Sequence, residues 1–174
     1  MTVDQKITFR HMRKDDLDSV MVIDRLSFSL PWPKNAYLND LNNNEKALLR
    51  VAEASTNRND ARVVGMIDLW LILDEAHLAT LAVHPDYRGL GIATRLIDLV
   101  LLEAHELGAI KVMLEVRSSN YAAQALYKQF GFKVVHRRPR YYVDNREDAL
   151  LMNLDDLDLW VKSSLQTELQ KTTS

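Results

Sequence analysis

The stretch that most limits what this chain can fold into is "AHLATLAVHPDYRGLGIATRLIDLVLLEAHELGAIKVMLEV", residues 76–116. An apolar, strand-like run enters a turn in which Gly89 and Gly91 are separated by one residue. Leu96, Leu99, Val100 and Leu107 then mark one face of a helix, and Gly108 stands where such a helix ends in a left-handed residue. "IKVMLEV" alternates, with Ile110, Val112, Leu114 and Val116 on one face and Lys111, Met113, Glu115 and Arg117 on the other. Strand, helix and strand in this order make a βαβ unit. Its strands are expected to be parallel, its crossover right-handed, and its site to open at the carboxyl ends of the strands.

Around this unit the periods are equally readable. "ITFRHM" reads as a strand, followed by a helix that Asp15 or Asp16 can cap and that carries Leu17, Val20, Met21 and Phe28. Pro31 and Pro33 break it, and Pro33 can begin a second, short helix. "ALLRVAEA", "RVVGMIDLWLIL" and "AHLATLAVH" suggest an antiparallel meander, with the polar residues 53–62 as a hairpin loop. Downstream, Ser119 or Asn120 caps the helix "NYAAQALYKQFGF", which Gly131 closes, and "FKVVHRRPRYYV", a turn at "DNRED" and "ALLMNL" form a hairpin. The fold class is α+β, with a sheet mixing parallel and antiparallel pairing. At 174 residues the chain suits one domain, residues 1–154. Residues 155–174 form an extension in which Leu157, Trp160, Val161, Leu165 and Leu169 have helical spacing. It is expected to dock or to meet a partner, and to fray at its polar end.

Composition removes several function classes. A formal charge of −2 gives no electrostatic footprint for nucleic acid or an anionic membrane. The absence of cysteine excludes disulfides, thiolate metal sites and a cysteine nucleophile. His11, His77, His84, His105 and His136 show no ligand spacing, so no metal is expected. The apolar runs "LWLIL" and "LIDLVLL" are far shorter than the roughly 20 residues that span a bilayer. With no secretory segment at its start, the chain is expected to be soluble and cytoplasmic.

The glycine turn admits several readings. A P-loop needs GxxxxGK[ST], and neither its spacing nor its lysine is present. A dinucleotide fingerprint fails at Thr94, where its third glycine belongs. Residues 84–88 also intervene between strand and glycine. The third reading is R-x-x-G-x-A, from Arg88 to Ala93. Its glycines bare backbone N–H groups to a diphosphate, and the following helix N-terminus adds partial positive charge. A tight turn that binds nothing stays open beside it.

Three segments carry a resemblance: "LAVHPDYRGLGIATRLI", "LEVRSSNYAAQALYKQFGF" and "RYYVDNREDALLM". Through them the chain, from about Ile7 to Leu154, resembles the GNAT acetyltransferase superfamily, most closely its bacterial ribosomal-protein-alanine N-acetyltransferases. The resemblance implies a GNAT fold with a splayed parallel pair that receives acetyl-CoA. It implies that backbone at Arg88, Gly89, Leu90, Gly91, Ile92, Ala93 and Thr94 holds the diphosphate, and that main chain at Leu81, Ala82 and Val83 pairs with the pantetheine arm. Asn120 matches a cofactor-contacting position, and helix capping is compatible with that. Glu115 matches the group that frees the amine and Tyr127 the group that gives the departing thiolate its proton. Apart from the resemblance, a Glu near an Arg on a strand is usually a surface ion pair, and a Tyr between Leu126 and Phe130 is usually core.

Amide formation from a thioester needs a neutral amine, a place for the oxyanion and a proton for sulfur. An α-amine near pKa 7.7–8.0 is neutral in roughly a tenth of molecules at pH 7, against about one in a few thousand for lysine near 10.4, so an N-terminal acceptor asks less of its base. Glu115 is expected to work through a water or with its pKa raised by burial. A phenol near 10 suits the thiolate, and a backbone N–H at Val83 or a neighbour could meet the oxyanion. The acceptor should be met outside the βαβ unit. Leu30 and Trp32, with Phe28 and Pro31, lie in an inter-helix loop that either receives a peptide or caps the core. The resemblance places Tyr141 and Tyr142 on a hairpin that closes over the peptide, while Arg137, Arg138 and Arg140 read as a solvated face or an acidic-peptide site. The expected activity is acetylation of a protein N-terminus, with an alanine-initiated ribosomal protein as acceptor. The alternatives are a small-molecule amine or lysine as acceptor, or a non-catalytic acyl-CoA-binding regulator.

Overall fold

A computed structural model of the chain describes residues 6–55 and 60–172, so residues 56–59 of the expected hairpin loop lie outside the described residues. Seven strands, β1 (Lys6–His11), β2 (Ala47–Ser55), β3 (Arg62–Ile72), β4 (Glu75–Val83), β5 (Lys111–Arg117), β6 (Lys133–Arg138) and β7 (Ala149–Leu154), hydrogen-bond in the order β1-β2-β3-β4-β5-β7-β6. The helices are α1 (Leu17–Ser27), α2 (Lys34–Asn43), α3 (Ile92–Glu106), α4 (Tyr121–Gln129) and α5 (Leu157–Thr172). Antiparallel pairing joins β1 to β2, β2 to β3, β5 to β7 and β6 to β7, whereas β4 runs parallel to β5. The mixed sheet and its parallel pair are those expected from the sequence.

The chain divides into two compact units, residues 1–70 with 78–100 and residues 71–77 with 101–174. In the first unit Leu17, Val20, Ile23, Tyr37, Val51 and Met66 build the core. Neither acidic candidate caps α1 through its side chain. Asp16 precedes the helix, but its carboxylate accepts from Arg10 at 2.7 and 2.8 Å and from the Arg13 N–H at 2.7 Å, so an ion pair has displaced the cap. Phe28 is the residue after α1 and is exposed, not part of the buried face. Gly65 on β3 has a structural reason that spacing did not reveal. A Cβ there would lie 2.9 Å from Ile92 Cγ2, so its absence lets the first turn of α3 approach the strand.

In the second unit β4 and β5 pair from Glu75↔Lys111 to His77↔Met113, and β5 continues to Arg117 with β7 on its other side. Val112, Leu114 and Val116 are buried as expected. Ile110 is not: it precedes the strand and is exposed, with its N–H donating to the Asp74 carbonyl and its own carbonyl accepting from the Leu157 N–H. Leu107 likewise lies beyond α3 and is exposed. Gly108 ends α3 at φ +93°, with the Ala109 N–H reaching the Ala104 carbonyl at 2.9 Å, and Gly131 ends α4 in the same way. The expected extension is helical. Leu157 and Val161 are buried and Trp160 packs against Phe130 at 5.9 Å between ring centroids, whereas Leu165 is exposed. The Leu169 side chain and residues 173–174 lie outside the described residues.

Candidate active site

Alternation along β5 turns Val112, Leu114 and Val116 into the core, which sends Glu115 to the opposite face with Lys111 and Arg117. There Glu115 meets His77 of β4 and Arg138 of β6. Its Oε2 lies 2.6 Å from His77 Nε2, and its Oε1 accepts from Arg138 Nη1 at 3.2 Å. His77 holds the Glu115 carboxyl below the usual carboxylate range, outweighing the partial burial that pushes the other way, and Arg138 adds to the effect. This corrects the expectation of a raised pKa. Arg138 is correspondingly not just a solvated charge, since its guanidinium also sits 5.6 Å from the centre of the Tyr141 ring.

Tyr127 is buried, at 7% exposure, with its ring 5.8 Å from that of Phe132. Burial drives its phenol well above the ordinary value, with Tyr142 adding to the shift, so it holds its proton more firmly than the unperturbed phenol expected from the sequence. Asn120 is the N-cap of α4, its Oδ1 accepting from the Ala123 N–H at 3.1 Å.

Tyr141 and Tyr142 follow β6 and meet edge to face at 5.2 Å. Sequence reasoning gave Arg117 no role, yet it organises this hairpin. Its guanidinium lies 3.8 Å from the centre of the Tyr142 ring and donates to Asp144 Oδ2 at 2.8 Å, Asn145 Oδ1 at 3.1 Å and Glu147 Oε2 at 3.3 Å. Glu147 in turn accepts from the Ser119 N–H at 2.6 Å, and bonds from Ser119 hold it down to about 2. The hairpin is thus pinned to the residues just before α4. Burial pushes the Tyr142 phenol up to about 12. Arg137 pairs with Asp148 at 2.6 Å, and the Arg140 N–H donates to the same carboxylate.

The first unit carries the glycine turn and the inter-helix loop. Gly89 and Gly91 have φ of +77° and +73°, and a Cβ at either would meet nothing within 4 Å, so the requirement is conformational, not steric. The Gly91 carbonyl accepts the first α3 bond from the Arg95 N–H at 3.0 Å, so the N–H groups of Ile92, Ala93 and Thr94 belong to the open first turn of a 15-residue helix. Leu90 is exposed beside them. Arg88 folds back, its Nε donating to the Val83 carbonyl at 3.1 Å, which engages one of the main-chain acceptors expected for pantetheine. Ala82 and Val83 are buried and Leu81 is half-buried. In the inter-helix loop Leu30 is 50% exposed. Trp32 is half-buried instead, its ring 5.5 Å from Tyr37 and 5.7 Å from Trp70, and its N–H donating to Asp24 Oδ2 at 2.7 Å. Leu30 therefore presents the loop's apolar surface while Trp32 caps the core.

Among the described residues no group of three His, Asp or Glu side chains could hold a metal ion, and no helix is long and apolar enough to cross a membrane.

The chain is similar to known proteins over most of its length. Residues 17–132 match the model of the acetyltransferase (GNAT) family. A Bacillus subtilis protein provisionally named a [ribosomal protein bS18]-alanine N-acetyltransferase is 37% identical over 147 residues, 84% of this chain and 94% of its own. The Escherichia coli [ribosomal protein bS18]-alanine N-acetyltransferase is 31% identical over 149 residues, 84% of this chain and 96% of its own. A crystal structure of the ribosomal-protein-S18-alanine N-acetyltransferase from that species superposes with a TM-score of 0.74, covering 86% of this chain and 93% of that one. Arabidopsis thaliana NAA60 in complex with acetyl-CoA shares the fold, with a TM-score of 0.78 at 22% identity over 86% of this chain and 99% of its own.

Proposed function

The chain belongs to the acetyltransferase (GNAT) family, and on that premise we propose that it moves the acetyl group of acetyl-CoA onto the N-terminal α-amine of a protein, an alanine-initiated ribosomal protein. The observation that carries this reading is the Glu115 carboxylate, set on β5 inside the matched segment and held ionised between His77 and Arg138. A carboxylate is a weak base, so the acceptor it serves should be an amine that is already partly neutral at pH 7. That favours an α-amine over a lysine by a few hundredfold in available neutral form. The names of the relatives point to the same acceptor.

Each residue then has a defined task. Backbone N–H groups from Arg88 to Thr94 hold the diphosphate at the start of α3, and main chain from Leu81 to Val83 lines the pantetheine arm. Asn120 adds a side-chain contact to the cofactor while capping α4. Glu115 draws the proton from the acceptor amine, and Tyr127 faces the departing sulfur as its proton source. Leu30 of the inter-helix loop, with Tyr141 and Tyr142 of the hairpin, receives the first residues of the acceptor, while Trp32 holds the base of that loop against the core. The chemistry asks for no metal. Steady-state transfer from acetyl-CoA to peptides that begin with alanine and contain an internal lysine tests the reading, with the modified nitrogen located by fragmentation. Acetylation at the α-amine is expected; transfer confined to the lysine, or to a polyamine offered in parallel, overturns it.

A further inference from the structure

We infer that Asp24 is the positioning residue that fixes how the inter-helix loop presents Leu30 to the first side chain of the acceptor. The inference rests on the proposed N-terminal acetylation, in which Leu30 meets the acceptor, and adds to it a residue of α1 that itself touches no substrate. Asp24 lies in the last turn of α1 at 0% exposure. Its carbonyl accepts from the Phe28 N–H at 2.9 Å, its Oδ2 from the Trp32 N–H at 2.7 Å and its Oδ1 from the Tyr37 hydroxyl at 2.9 Å. One residue thus ties together the end of α1, the far end of the loop and the first turn of α2.

A buried carboxyl group costs desolvation that an apolar side chain of the same shape avoids, so its role lies in what its oxygens hold. The Tyr37 and Trp32 bonds offset part of the burial that raises its pKa. What they hold is the arch of residues 29–31. Phe28 and Trp32 are anchored at its two feet, and within it Pro31 fixes its own φ and biases Leu30 toward extended backbone. With few torsions left free, the Trp32 anchor decides where Leu30 stands. Leu30 is 50% exposed, whereas the Trp32 ring is turned onto Tyr37 and Trp70. Held out to solvent at a fixed place, Leu30 offers an alanine side chain an apolar contact without the entropy cost of ordering the loop on binding.

Asp24→Leu keeps the branched shape but accepts nothing from Trp32 or Tyr37. Asp24→Asn keeps the anchor, since its amide oxygen can accept from the Trp32 N–H while its NH2 donates to the Tyr37 oxygen. With alanine-initiated peptides, Asp24→Leu is expected to raise the peptide KM about tenfold, the scale of one lost bond to a charged group, with kcat and the acetyl-CoA KM within about twofold. Asp24→Asn is expected to stay within about threefold of the wild type. A merely destabilised enzyme would show a lower Tm and fewer active molecules at an unchanged KM. Leu30→Ala is expected to raise the peptide KM about fivefold by itself, and the double variant to stay near about tenfold, because both changes act through one contact. Multiplication of the two effects to about 50-fold overturns the inference, as does an unchanged peptide KM in Asp24→Leu. Hydrogen exchange in the wild type tests the anchor without any variant: the Trp32 amide is expected to be protected at least about 100-fold, and exchange at the free-chain rate overturns the inference. A wild-type protein that acetylates no α-amine would instead sink the broader function.

Discussion

Asp68 offers a test of the buried electrostatics in the first unit. It sits on β3 at 0% exposure, and among the described residues neither carboxylate oxygen has a hydrogen-bond partner. Burial, reinforced by the neighbouring Asp40, raises its pKa from 3.8 to about 8. The side chain is therefore neutral in the folded protein at pH 7 and ionised in the unfolded chain. A carboxyl raised on folding contributes stability that is fully present below its unfolded pKa and is lost as pH rises through the folded one. Between pH 5.5 and 8 the native state holds this proton and the unfolded state does not, and each pH unit is worth about 1.36 kcal/mol. The wild type should accordingly lose about 3 kcal/mol of unfolding free energy across that interval through this residue. Asp68→Asn removes the titration, and comparing slopes cancels whatever its amide gains or loses in packing. Urea denaturation followed by tryptophan fluorescence at pH 5.5 and 8 measures both proteins. The carboxylates held low, such as Glu147 and Asp148, titrate below this window, and Asp24 is common to both proteins. Parallel pH dependence in wild type and variant would refute a neutral, buried Asp68.

Three further outcomes bear on the site. Gly91→Ala forces a side chain to φ +73°, at a cost of about 1–2 kcal/mol, and should raise the acetyl-CoA Kd by roughly 5- to 30-fold in calorimetry while leaving the α3 core intact. Arg117→Ala removes the guanidinium from the Tyr142 ring and from Asp144. It should raise the peptide KM by about tenfold, roughly 1.4 kcal/mol, with the acetyl-CoA KM unchanged. Tyr127→Phe keeps the packing on Phe132, so kcat should fall by about 100-fold or more with only a small change in Tm. An unchanged kcat would return the residue to the core.

What was readable in the sequence is what local rules govern. The change from alternating to helical period around Gly89 and Gly91 located the βαβ unit, and Gly108 and Gly131 marked helix ends because only a left-handed residue closes them this way. What was not readable depends on partners distant in sequence. His77 and Glu115 are 38 residues apart, and their approach follows from the β4–β5 register, which no spacing encodes. Their parity on two parallel strands was the available signal. The capture of Asp16 by Arg10, and of the Trp32 N–H by Asp24, displaced local expectations of a helix cap and an exposed loop in the same way. Ile110 continued an alternation that the chain had not yet entered, because its backbone is bonded to Asp74 and Leu157. The direction of the Glu115 shift and the rise at Tyr127 escaped the sequence for one reason: charge partners and burial set them, and both are tertiary.

The most direct test of N-terminal acetylation is intact-mass and fragment spectrometry of ribosomal proteins from cells with and without this protein. Loss of one acetyl group, 42 Da by elementary mass, from the N-terminal alanine of one ribosomal protein is expected on deletion, with recovery when the wild-type chain is restored and none with Glu115→Gln. An N-terminal acetylation pattern that deletion leaves unchanged would contradict it.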